Sequence, residues 1–594
     1  MMNNTWTFFL AVFAALTLTA CGGDEPEREP VTLTAYPTEL VFEAGGGTQT
    51  LSITSDVQPT VTPVGDWAAV SSISGSVSGT IYQYTVTVPA FNGIQDRATN
   101  IRVIGDKQSL MVPVTQKHPE VELTLDKTAV TFGRAGGEET FTVTSSTQPS
   151  VSTDAAWAGI ETGKIDKDHK TTVKILAGAN RKASALSGTV TVSCGGKKVT
   201  VNIAEEAYAA PSIATTTALT PQVVFDAMGP GWNMGNHMDA VNNGVSGETL
   251  WGNPKCTQAT MDGVKAAGFK AVRICVTWAG HIGEAPAYRL DQAWLDRVAE
   301  IVGYAERAGL VAIVNTHHDE SYWLDISKTI NNTANHEKAK DALFNVWSQI
   351  AARFQDKGDW LVFESMNEIQ DGGWGWSDVF RANPEAQYKV LNEWNQTFVD
   401  AVRSAGGNNA TRWLGTPGYA ASPGFTITGL VLPQDYTSAN RLIVAVHDYD
   451  PYNYTLNDPL VRQWGHTADP ALRVSNADEA GVVSVFDNLK AAYLDKGIPV
   501  YLGEMGCSRH AAADLPYQRY YLEYFCKAAA DRLLPMYLWD NGAKGTGPEK
   551  HAYIDHGTGQ FVDDEAKTQV GLIVKAVTTK DASYTLQSVY DAAP

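Results

Sequence analysis

From about residue 220 onward, short apolar runs alternate with segments in which apolar residues recur every third or fourth position. Recurrence at i, i+3, i+4 and i+7, as in residues 292–309 and 484–497, predicts amphipathic helices. The runs between the helices are almost continuously apolar, which is typical of parallel strands buried on both faces. Eight strand–helix units predict a (β/α)8 TIM barrel at 220–580. The eight runs lie at 231–236, 269–278, 310–319, 360–368, 411–419, 441–450, 498–506 and 533–542.

A different pattern occupies residues 32–206, where apolar and polar positions alternate with a period of two. These segments are rich in Val and Thr and are separated by Gly-containing turns, which predicts β-strands. We therefore expect two all-β immunoglobulin-like sandwiches, at 32–117 and 120–206, and a linker at 207–219. The pattern repeats after 90 residues: Leu33, Phe42, Gly46, Gln58 and Trp67 correspond to Leu123, Phe132, Gly136, Gln148 and Trp157.

The beginning of the chain carries an apolar run of about 14 residues that ends at Cys21. The run is too short for a spanning helix and is typical of the core of a signal peptide, here residues 1–20. Residues 18–21, LTAC, resemble the lipobox of bacterial lipoproteins, in which the cysteine is lipidated. This resemblance implies a lipid anchor at Cys21 in the bacterial outer membrane, facing the cell exterior, with a polar tether at 21–31. No other apolar run approaches 18 residues, so we expect membrane attachment through the lipid alone.

The composition excludes several classes of protein. The formal net charge is −20, and no run rich in Lys or Arg is present that could neutralise phosphates. We therefore expect no nucleic-acid partner. The five cysteines after Cys21 lack the short spacings of a zinc site or a disulfide framework. We expect at most one or two disulfide bridges, no metal, no cofactor and a monomer.

Polar and aromatic side chains follow or end most of the predicted barrel strands. In TIM barrels the active site lies at the carboxyl ends of the strands, so these residues predict what faces the pocket. Two carboxylates converge there, Glu368 at the end of strand 4 and Glu504 at the end of strand 7. Around them we expect Asn236, Arg273, His317, His318, Asn367, His447, Tyr449 and Trp539.

Two convergent carboxylates suit glycoside hydrolysis, in which one acid protonates the leaving oxygen and one carboxylate attacks the anomeric carbon or activates water. We assign Glu504 as the nucleophile because Arg273 beside it, aided by Tyr449, would hold it ionised. Glu368, farther from the positive charge, would remain protonated as the general acid and later act as the base. Asn367 is a candidate donor to the sugar 2-hydroxyl, and Trp539 offers a flat apolar face to the ring.

The motifs at the strand ends resemble glycoside hydrolase family 5. Arg273 lies in VRICVTW, His318 in THHD, Asn367 and Glu368 in FESMNE, His447 and Tyr449 in VHDYDPYNY, Glu504 in YLGEMG, and Trp539 in LWDNG. The segments GWNMGNHMDA and ETLWGNPK are similar to those of subfamily 4, which contains endoglucanases and xyloglucanases. The two N-terminal repeats resemble BACON domains in their Phe-x-x-x-Gly-Gly element and single Trp.

The family resemblance implies a retaining endo-β-1,4-glucanase that works through a covalent glycosyl-enzyme. It implies a supporting role for His318 and substrate contacts from His317 and Asn236. The implied substrate is a β-glucan, namely cellulose, mixed-linkage glucan or xyloglucan, and an endo-β-1,4-mannanase stays open because it shares the catalytic set. We expect Trp374 and Trp376, in the Gly-rich loop after Glu368, to line the cleft.

Further interpretations stay open beside the glucanase. The N-terminal repeats are interpreted as spacers rather than glycan-binding modules, since each Trp occupies a core position. A metal hydrolase would draw on His317, His318, Asp319, His336 and His447. Adjacent strand residues point to opposite faces, so we expect that His317 and His318 cannot share one ion. A non-catalytic glycan-binding surface lipoprotein would require the loss of a carboxylate, and both are present.

Overall fold

The structure is a computed structural model of the 594-residue chain, and it describes residues 31–73, 79–214, 217–437, 439–475 and 477–594. The described residues form two compact units. One unit contains the residues up to Leu123 with Thr144–Gln148 and Ser193–Lys197, and the other contains Thr124–Val143, Pro149–Val192 and Lys198–Pro594. The expected signal peptide and Cys21 lie outside the described residues. Among the described residues, no helix is both long enough and apolar enough to span a bilayer.

The first β-rich region consists of two four-stranded sheets, ordered β1-β3-β6-β5 and β2-β8-β7-β4. Strands β2 and β8 are parallel, while β3 pairs antiparallel with β1 and β6. Alternate residues such as Leu51, Ile53 and Val86 are fully buried, as the period-2 pattern predicts. The strands are β1 (Thr34–Tyr36), β2 (Leu40–Phe42), β3 (Gly47–Thr54), β4 (Thr60–Pro63), β5 (Ala69–Ser72), β6 (Ile81–Val88), β7 (Arg97–Gly105) and β8 (Gln108–Gln116).

The second β-rich region has the same strand order as the first, as the 90-residue repeat predicts. Its sheets are ordered β9-β11-β14-β13 and β10-β16-β15-β12, and β10 and β16 are again parallel. The strands are β9 (Leu123–Leu125), β10 (Ala129–Phe132), β11 (Gly137–Ser145), β12 (Ser150–Thr153), β13 (Ala158–Thr162), β14 (Lys170–Ala177), β15 (Leu186–Cys194) and β16 (Lys197–Glu205).

Eight parallel strands close into a barrel, which confirms the predicted architecture. Each strand lies within one of the eight apolar runs of the sequence. A short hairpin, β18 (Val241–Asn242) and β19 (Val245–Ser246), follows the first barrel strand. The barrel strands are β17 (Gly231–Met234), β20 (Ala271–Ile274), β21 (Val311–Asn315), β22 (Leu361–Glu364), β23 (Leu414–Pro417), β24 (Leu442–His447), β25 (Val500–Met505) and β26 (Met536–Asp540).

Helices cover the outside of the barrel. The first predicted amphipathic segment, 292–309, forms α3, and the second, 484–497, belongs to α8 only as far as Ala492. Helix α3 begins after Asp291, whose side chain accepts from the Ala293 N–H, and ends at Gly309 with φ 70°. The helices are α1 (Pro221–Met228), α2 (Gln258–Ala266), α3 (Gln292–Ala308), α4 (Thr333–Arg353), α5 (Asp378–Ala382), α6 (Pro384–Ser404), α7 (Pro423–Gly429), α8 (Glu479–Ala492), α9 (Leu515–Ala530), α10 (Asp564–Thr578) and α11 (Leu586–Tyr590).

The barrel interior is packed, so the site can lie only at its rim. Ala271, Ile313 and Val362 are among the buried side chains that fill the interior. At the carboxyl end, the pairing of β24 with β25 shifts register at His447, and that of β25 with β26 shifts between Leu502 and Met505. Such irregularities re-aim side chains, and these two flank His447 and Glu504. The five cysteines among the described residues are buried and unpaired, so no disulfide forms there.

Candidate active site

Glu368 and Glu504 approach each other at the carboxyl end of the barrel. Glu504 lies on β25, and Glu368 follows the end of β22 by four residues. One oxygen of each carboxylate lies within 4.8 Å of the other and of a ring nitrogen of His447. The Glu504 side chain is 6% exposed and that of Glu368 is 20% exposed, so Glu368 has the better access to solvent.

Glu368 has the environment that a general acid requires. Burial raises its pKa to about 7. Its Oε1 lies 2.7 Å from His447 Nδ1, and burial lowers the pKa of His447 to about 4, so this histidine is neutral at neutral pH. A neutral neighbour does not hold Glu368 in its ionised form, and a large fraction of Glu368 keeps its proton near pH 7.

Glu504 has the two contacts that the sequence predicts. Arg273 Nη1 donates to Oε1 at 2.7 Å, and the Tyr449 hydroxyl donates to Oε2 at 3.1 Å. Burial nevertheless raises the pKa of Glu504, and Glu368 raises it further, while Arg273 acts in the opposite direction. Arg273 therefore offsets the burial of Glu504 without bringing its pKa below the usual value, although the sequence predicts that Arg273, aided by Tyr449, holds this carboxylate ionised.

Arg273 does not bring the pKa of Glu504 below its usual value because it also binds a third carboxylate, Glu364. The sequence analysis does not include Glu364 among the site residues. Arg273 Nη2 donates to Glu364 Oε1 at 2.6 Å, and Tyr501 and Asn315 donate to the same carboxylate at 2.5 and 3.0 Å. Burial by itself would raise the pKa of Glu364, but Arg273 lowers it below its usual value. Arg273 therefore divides one positive charge between two carboxylates, and Glu504 receives only part of its stabilisation.

Replacing Glu364 with glutamine should shift the alkaline limb of the kcat/KM profile to lower pH. The Glu364 charge raises the pKa of Glu368, so its removal lowers the pH at which the acid loses its proton. The change also removes one partner of a buried ion pair, and we expect a loss of about 3 kcal/mol of unfolding free energy. Urea unfolding and pH profiles check both effects, with Glu139→Gln as control, because the Glu139 side chain is 45% exposed and pairs only at the surface, with Lys127. An unshifted alkaline limb would contradict the effect of the Glu364 charge on the pKa of Glu368.

Asn367 lies directly before the acid and is oriented by Arg273. Arg273 Nη2 donates to Asn367 Oδ1 at 2.7 Å, so the amide oxygen is engaged and the NH2 group is left to face the cleft. This is the orientation that a donor to a sugar hydroxyl needs. The amide is 2% exposed, and its position is therefore fixed by packing as well as by this contact.

Trp539, His317 and Asn236 line the same cleft as the acid. The His317 ring lies parallel to Trp539, with centroids 6.0 Å apart and an interplanar angle of 5°. Gly235 is required here, because a Cβ at this position would lie 2.7 Å from the Trp539 ring. His317 Nε2 lies 4.0 Å from Glu504 Oε1, and Asn236 also lines the cleft. The structure thus brings these three predicted residues to one site.

The expectation that His317 and His318 point apart is wrong. Strand β21 ends at Asn315, so neither histidine lies in extended sheet, and their rings contact each other edge-on with centroids 4.4 Å apart. Both offer a nitrogen within 4.8 Å of a carboxylate oxygen of Asp239. These three residues could hold a cation, as could the cluster of Glu368, His447 and Glu504, whereas Asp319 and His336 belong to neither cluster.

His318 carries a positive charge at the edge of the cleft. Burial by itself would lower its pKa, but Glu320, Asp239 and Glu504 raise it to about 9. Its Nδ1 lies 3.7 Å from Glu320 Oε1, and its ring lies 5.7 Å from that of Trp251. His318 thus stays protonated at neutral pH and lowers the pKa of Glu368, opposing the effect of burial.

A cleft of about 900 Å³ surrounds the two carboxylates. Trp374 and Trp376 line it, as predicted, with 51% and 76% of their surfaces exposed. Trp374 has φ 50°, and Gly372 and Gly375 on either side of it have φ 90° and 84°, so this loop follows a path that favours glycine. Large exposed indoles beside an acid are suited to stacking against sugar rings.

Comparison with known proteins identifies the barrel. The family profile described as Cellulase (glycosyl hydrolase family 5) matches residues 235–545, more than half of the chain. The chain belongs to glycosyl hydrolase family 5. A second profile, the viral BACON domain, matches residues 122–207 and therefore the second β-rich region.

Several relatives of this family 5 chain are endoglucanases. Endoglucanase A of Paenibacillus barcinonensis is 36% identical over 350 residues, which cover 56% of this chain and 86% of the relative. A xyloglucan-specific endo-β-1,4-glucanase of Bacteroides ovatus is 30% identical over 453 residues, covering 72% and 87%. The solved structure of a broad-specificity endoglucanase of Bacteroides salanitronis is 49% identical, with TM-score 0.59, and covers 63% of this chain and 99% of that one. The protein is a glycoside hydrolase of the endoglucanase type.

Several residues of this family 5 site escaped the sequence argument. Glu364 had a usable signal, since a lone carboxylate inside the apolar run of β22 must have a buried partner. Asp239 and Glu320 had none, because they lie in loops where acids are common. The remaining residues that line the cleft lie beyond the ends of the barrel strands, and no sequence pattern points to them. They are Tyr452, Leu456, Asn541, Ala543, Glu549 and Lys550.

Proposed function

We propose that the protein is a retaining endo-β-1,4-glucanase that uses Glu504 as nucleophile and Glu368 as general acid and base. The observation that carries this proposal is the close approach of the two carboxylates, with oxygens within 4.8 Å of each other. Retaining glycosidases hold their carboxyl groups about 5–5.5 Å apart, whereas inverting enzymes leave about 6.5–9.5 Å for a water. The short separation favours direct attack by Glu504.

In the first step, a Glu504 oxygen forms a bond to the anomeric carbon while the bond to the leaving oxygen breaks. Glu368 transfers its proton to that oxygen, so the departing chain leaves as a neutral alcohol. Arg273 and Tyr449, which contact both Glu504 oxygens, stabilise the carboxylate before attack. Asn367, with its NH2 group toward the cleft, donates to the 2-hydroxyl as positive charge develops on the ring.

In the second step, water attacks the anomeric carbon of the glycosyl-enzyme. Glu368, now ionised, accepts a proton from this water, and the bond to Glu504 breaks with its electron pair returning to the carboxylate. Both residues then have their starting protonation states. The product keeps the configuration of the substrate because two inversions have occurred at one carbon.

The pH dependence follows from the two raised pKa values. Activity requires Glu368 protonated, so kcat/KM should fall as the pH rises through about 7. Activity also requires Glu504 ionised, and its raised pKa places the acidic limb above the pH at which an ordinary glutamate titrates. Initial rates on soluble β-glucan across this range measure both limbs. An alkaline limb at the ordinary glutamate pKa would contradict the environment described for Glu368.

The substrate class is a β-1,4-glucan backbone, namely cellulose, mixed-linkage glucan or xyloglucan. Relatives named as endoglucanase and as xyloglucan-specific support a glucan over a mannan. The test is release of reducing ends from these glucans and from β-mannan, with oligosaccharide product analysis and Glu504→Ala as the inactive control. Faster hydrolysis of mannan than of every glucan would instead support the mannanase. Binding without hydrolysis of any of them would support a non-catalytic glycan-binding protein.

We also propose that the N-terminal part is a spacer of two immunoglobulin-like sandwiches, with domain boundaries at 32–117, 120–206 and, after the linker, 220–580. Arg181 of the second β-rich region donates to Asp341 of α4 at 2.6 Å and also pairs with Glu337. Trp157 is half-buried and packs edge-on against Phe132, with ring centroids 6.2 Å apart, which supports a packing role rather than a fully exposed sugar platform. Deleting 32–117 should leave polysaccharide affinity unchanged, whereas a loss of affinity would indicate a glycan-binding module.

For the location of the protein we propose a lipid anchor at Cys21 in the outer membrane, facing the cell exterior. The support is the LTAC sequence and the acidic, Pro-containing tether that follows it. Replacing Cys21 with serine should move the protein from the membrane fraction to the soluble fraction. Protease treatment of intact cells tests the outward orientation, and protection from cleavage would contradict it.

A further inference from the structure

The loops that follow β20 and β21, together with helix α4, line a second cavity of about 530 Å³. Its volume is within the usual range for small-ligand sites, and its lining residues are all different from those of the catalytic cleft. The mechanism proposed above makes no use of it. The side chains that define its chemistry are Glu284, Tyr322, Trp323, Asp325, Lys328 and Lys338, which include two carboxylates and two ammonium groups.

The cavity combines aromatic faces with fixed polar groups, which is the combination that neutral sugars require. Tyr322 is 38% exposed and therefore offers ring surface to a ligand. Lys328 Nζ pairs with Asp325 Oδ2 at 2.8 Å, so this part of the wall is electrically balanced. Lys338 forms no ion pair with any residue that the structure describes, and its ammonium group is available to hydroxyl oxygens.

A path of exposed groups joins this cavity to the catalytic cleft. His318 lines the cleft, and its ring contacts Trp251, which is 43% exposed. The Trp251 indole donates to the Val241 carbonyl at 3.2 Å and is thereby attached to the β18–β19 hairpin. Gly244, at the turn of that hairpin, lines the second cavity next to Tyr322. The β18–β19 hairpin and the Trp251 indole attached to it thus connect a residue of the cleft, His318, with a residue of the cavity, Tyr322.

We propose that the second cavity is a distal subsite for a β-glucan chain that leaves the catalytic cleft over Trp251. Tyr322 supplies a stacking face, and Lys338 donates to sugar hydroxyls. The inference rests on the proposed function, because the occupant is the same polymer that the cleft hydrolyses. A glucan chain that is bound at the cleft holds its own distal residues close to the second cavity, so no separate molecule has to bind there.

The length of the substrate distinguishes the distal subsite from the catalytic cleft, because only long glucan chains can reach the second cavity. We compare Tyr322→Ala and Lys338→Ala with the wild-type protein on cello-oligosaccharides of increasing length and on soluble β-glucan. Both side chains are exposed, so the fold should be retained. KM for the polymer and the longest oligosaccharides should rise about fivefold, the value expected for the loss of one aromatic or polar contact. The shortest cleaved substrates should be unaffected, and kcat should be unchanged throughout.

Tyr36→Ala is the matched control, because Tyr36 is an exposed tyrosine that lines neither cavity. An unchanged KM at every length would overturn the subsite. An equal loss at every length would also overturn it, since the substitution would then act on the cleft itself. Hydrolysis of β-glucan by the wild-type protein reports the proposed function separately, and an inactive wild type would overturn both.

Discussion

Replacement of Glu504 with alanine is expected to lower kcat for β-glucan hydrolysis by about 10⁵-fold, which corresponds to about 7 kcal/mol. The variant lacks the group that forms the bond to the anomeric carbon. The fold should be retained, because Arg273 keeps its contacts with Glu364 and Asn367. Initial rates, together with thermal unfolding and oligosaccharide binding, separate a chemical defect from misfolding.

Azide supplies a positive test for the role of Glu504. The Glu504→Ala variant has space for a small anion at the position of the missing carboxylate. Azide bound there should attack the anomeric carbon of an activated β-glycoside and displace its leaving group. Turnover should be restored and the product should be the α-glycosyl azide, because only one inversion occurs. Recovery of the β-glycosyl azide, or activity within tenfold of wild type, would contradict the assignment.

Replacement of Glu368 with alanine is expected to lower polysaccharide hydrolysis by about 10³–10⁴-fold, the upper range for general acid catalysis. The first step should be almost unaffected for dinitrophenyl glycosides, whose leaving group departs without a proton. The glycosyl-enzyme should then accumulate, because no base activates water for the second step. A burst of dinitrophenol release, followed by slow turnover, would show that the glycosyl-enzyme accumulates.

Azide distinguishes this variant from Glu504→Ala. In Glu368→Ala the anion attacks the glycosyl-enzyme from the opposite face and should give the β-glycosyl azide. The alkaline limb of the pH profile should also disappear with the dinitrophenyl substrate, because the group with a pKa of about 7 is absent. Equal losses on polysaccharide and on dinitrophenyl substrates would show that Glu368 is not the acid.

The barrel could be predicted because its strands are buried on both faces. Near-continuous apolar runs such as 498–506 have no other stable arrangement between amphipathic helices, and each contains one barrel strand. The strand ends were less predictable. The pattern predicts a strand over 310–319 that carries His317 and His318 on opposite faces. Strand β21 ends at Asn315 instead, and the two rings contact each other.

The site was predictable where residues act through their position on a strand. Arg273, His447, Glu504 and Trp539 lie on barrel strands, and their place in or at the carboxyl end of an apolar run assigns them to the pocket. The electrostatics were not predictable in this way, because the effect of Arg273 depends on Glu364, which lies on a different strand. Loop residues such as Glu549 enter the cleft through turns whose path has no periodic signal.

The stereochemistry of hydrolysis tests the double displacement most directly. Proton NMR of the anomeric signals, recorded during early hydrolysis of a cello-oligosaccharide by the wild-type protein, shows which anomer forms before mutarotation. Attack by Glu504 followed by water predicts the β-anomer as the first product. First appearance of the α-anomer would show a single displacement by water and would contradict the role of Glu504 as nucleophile.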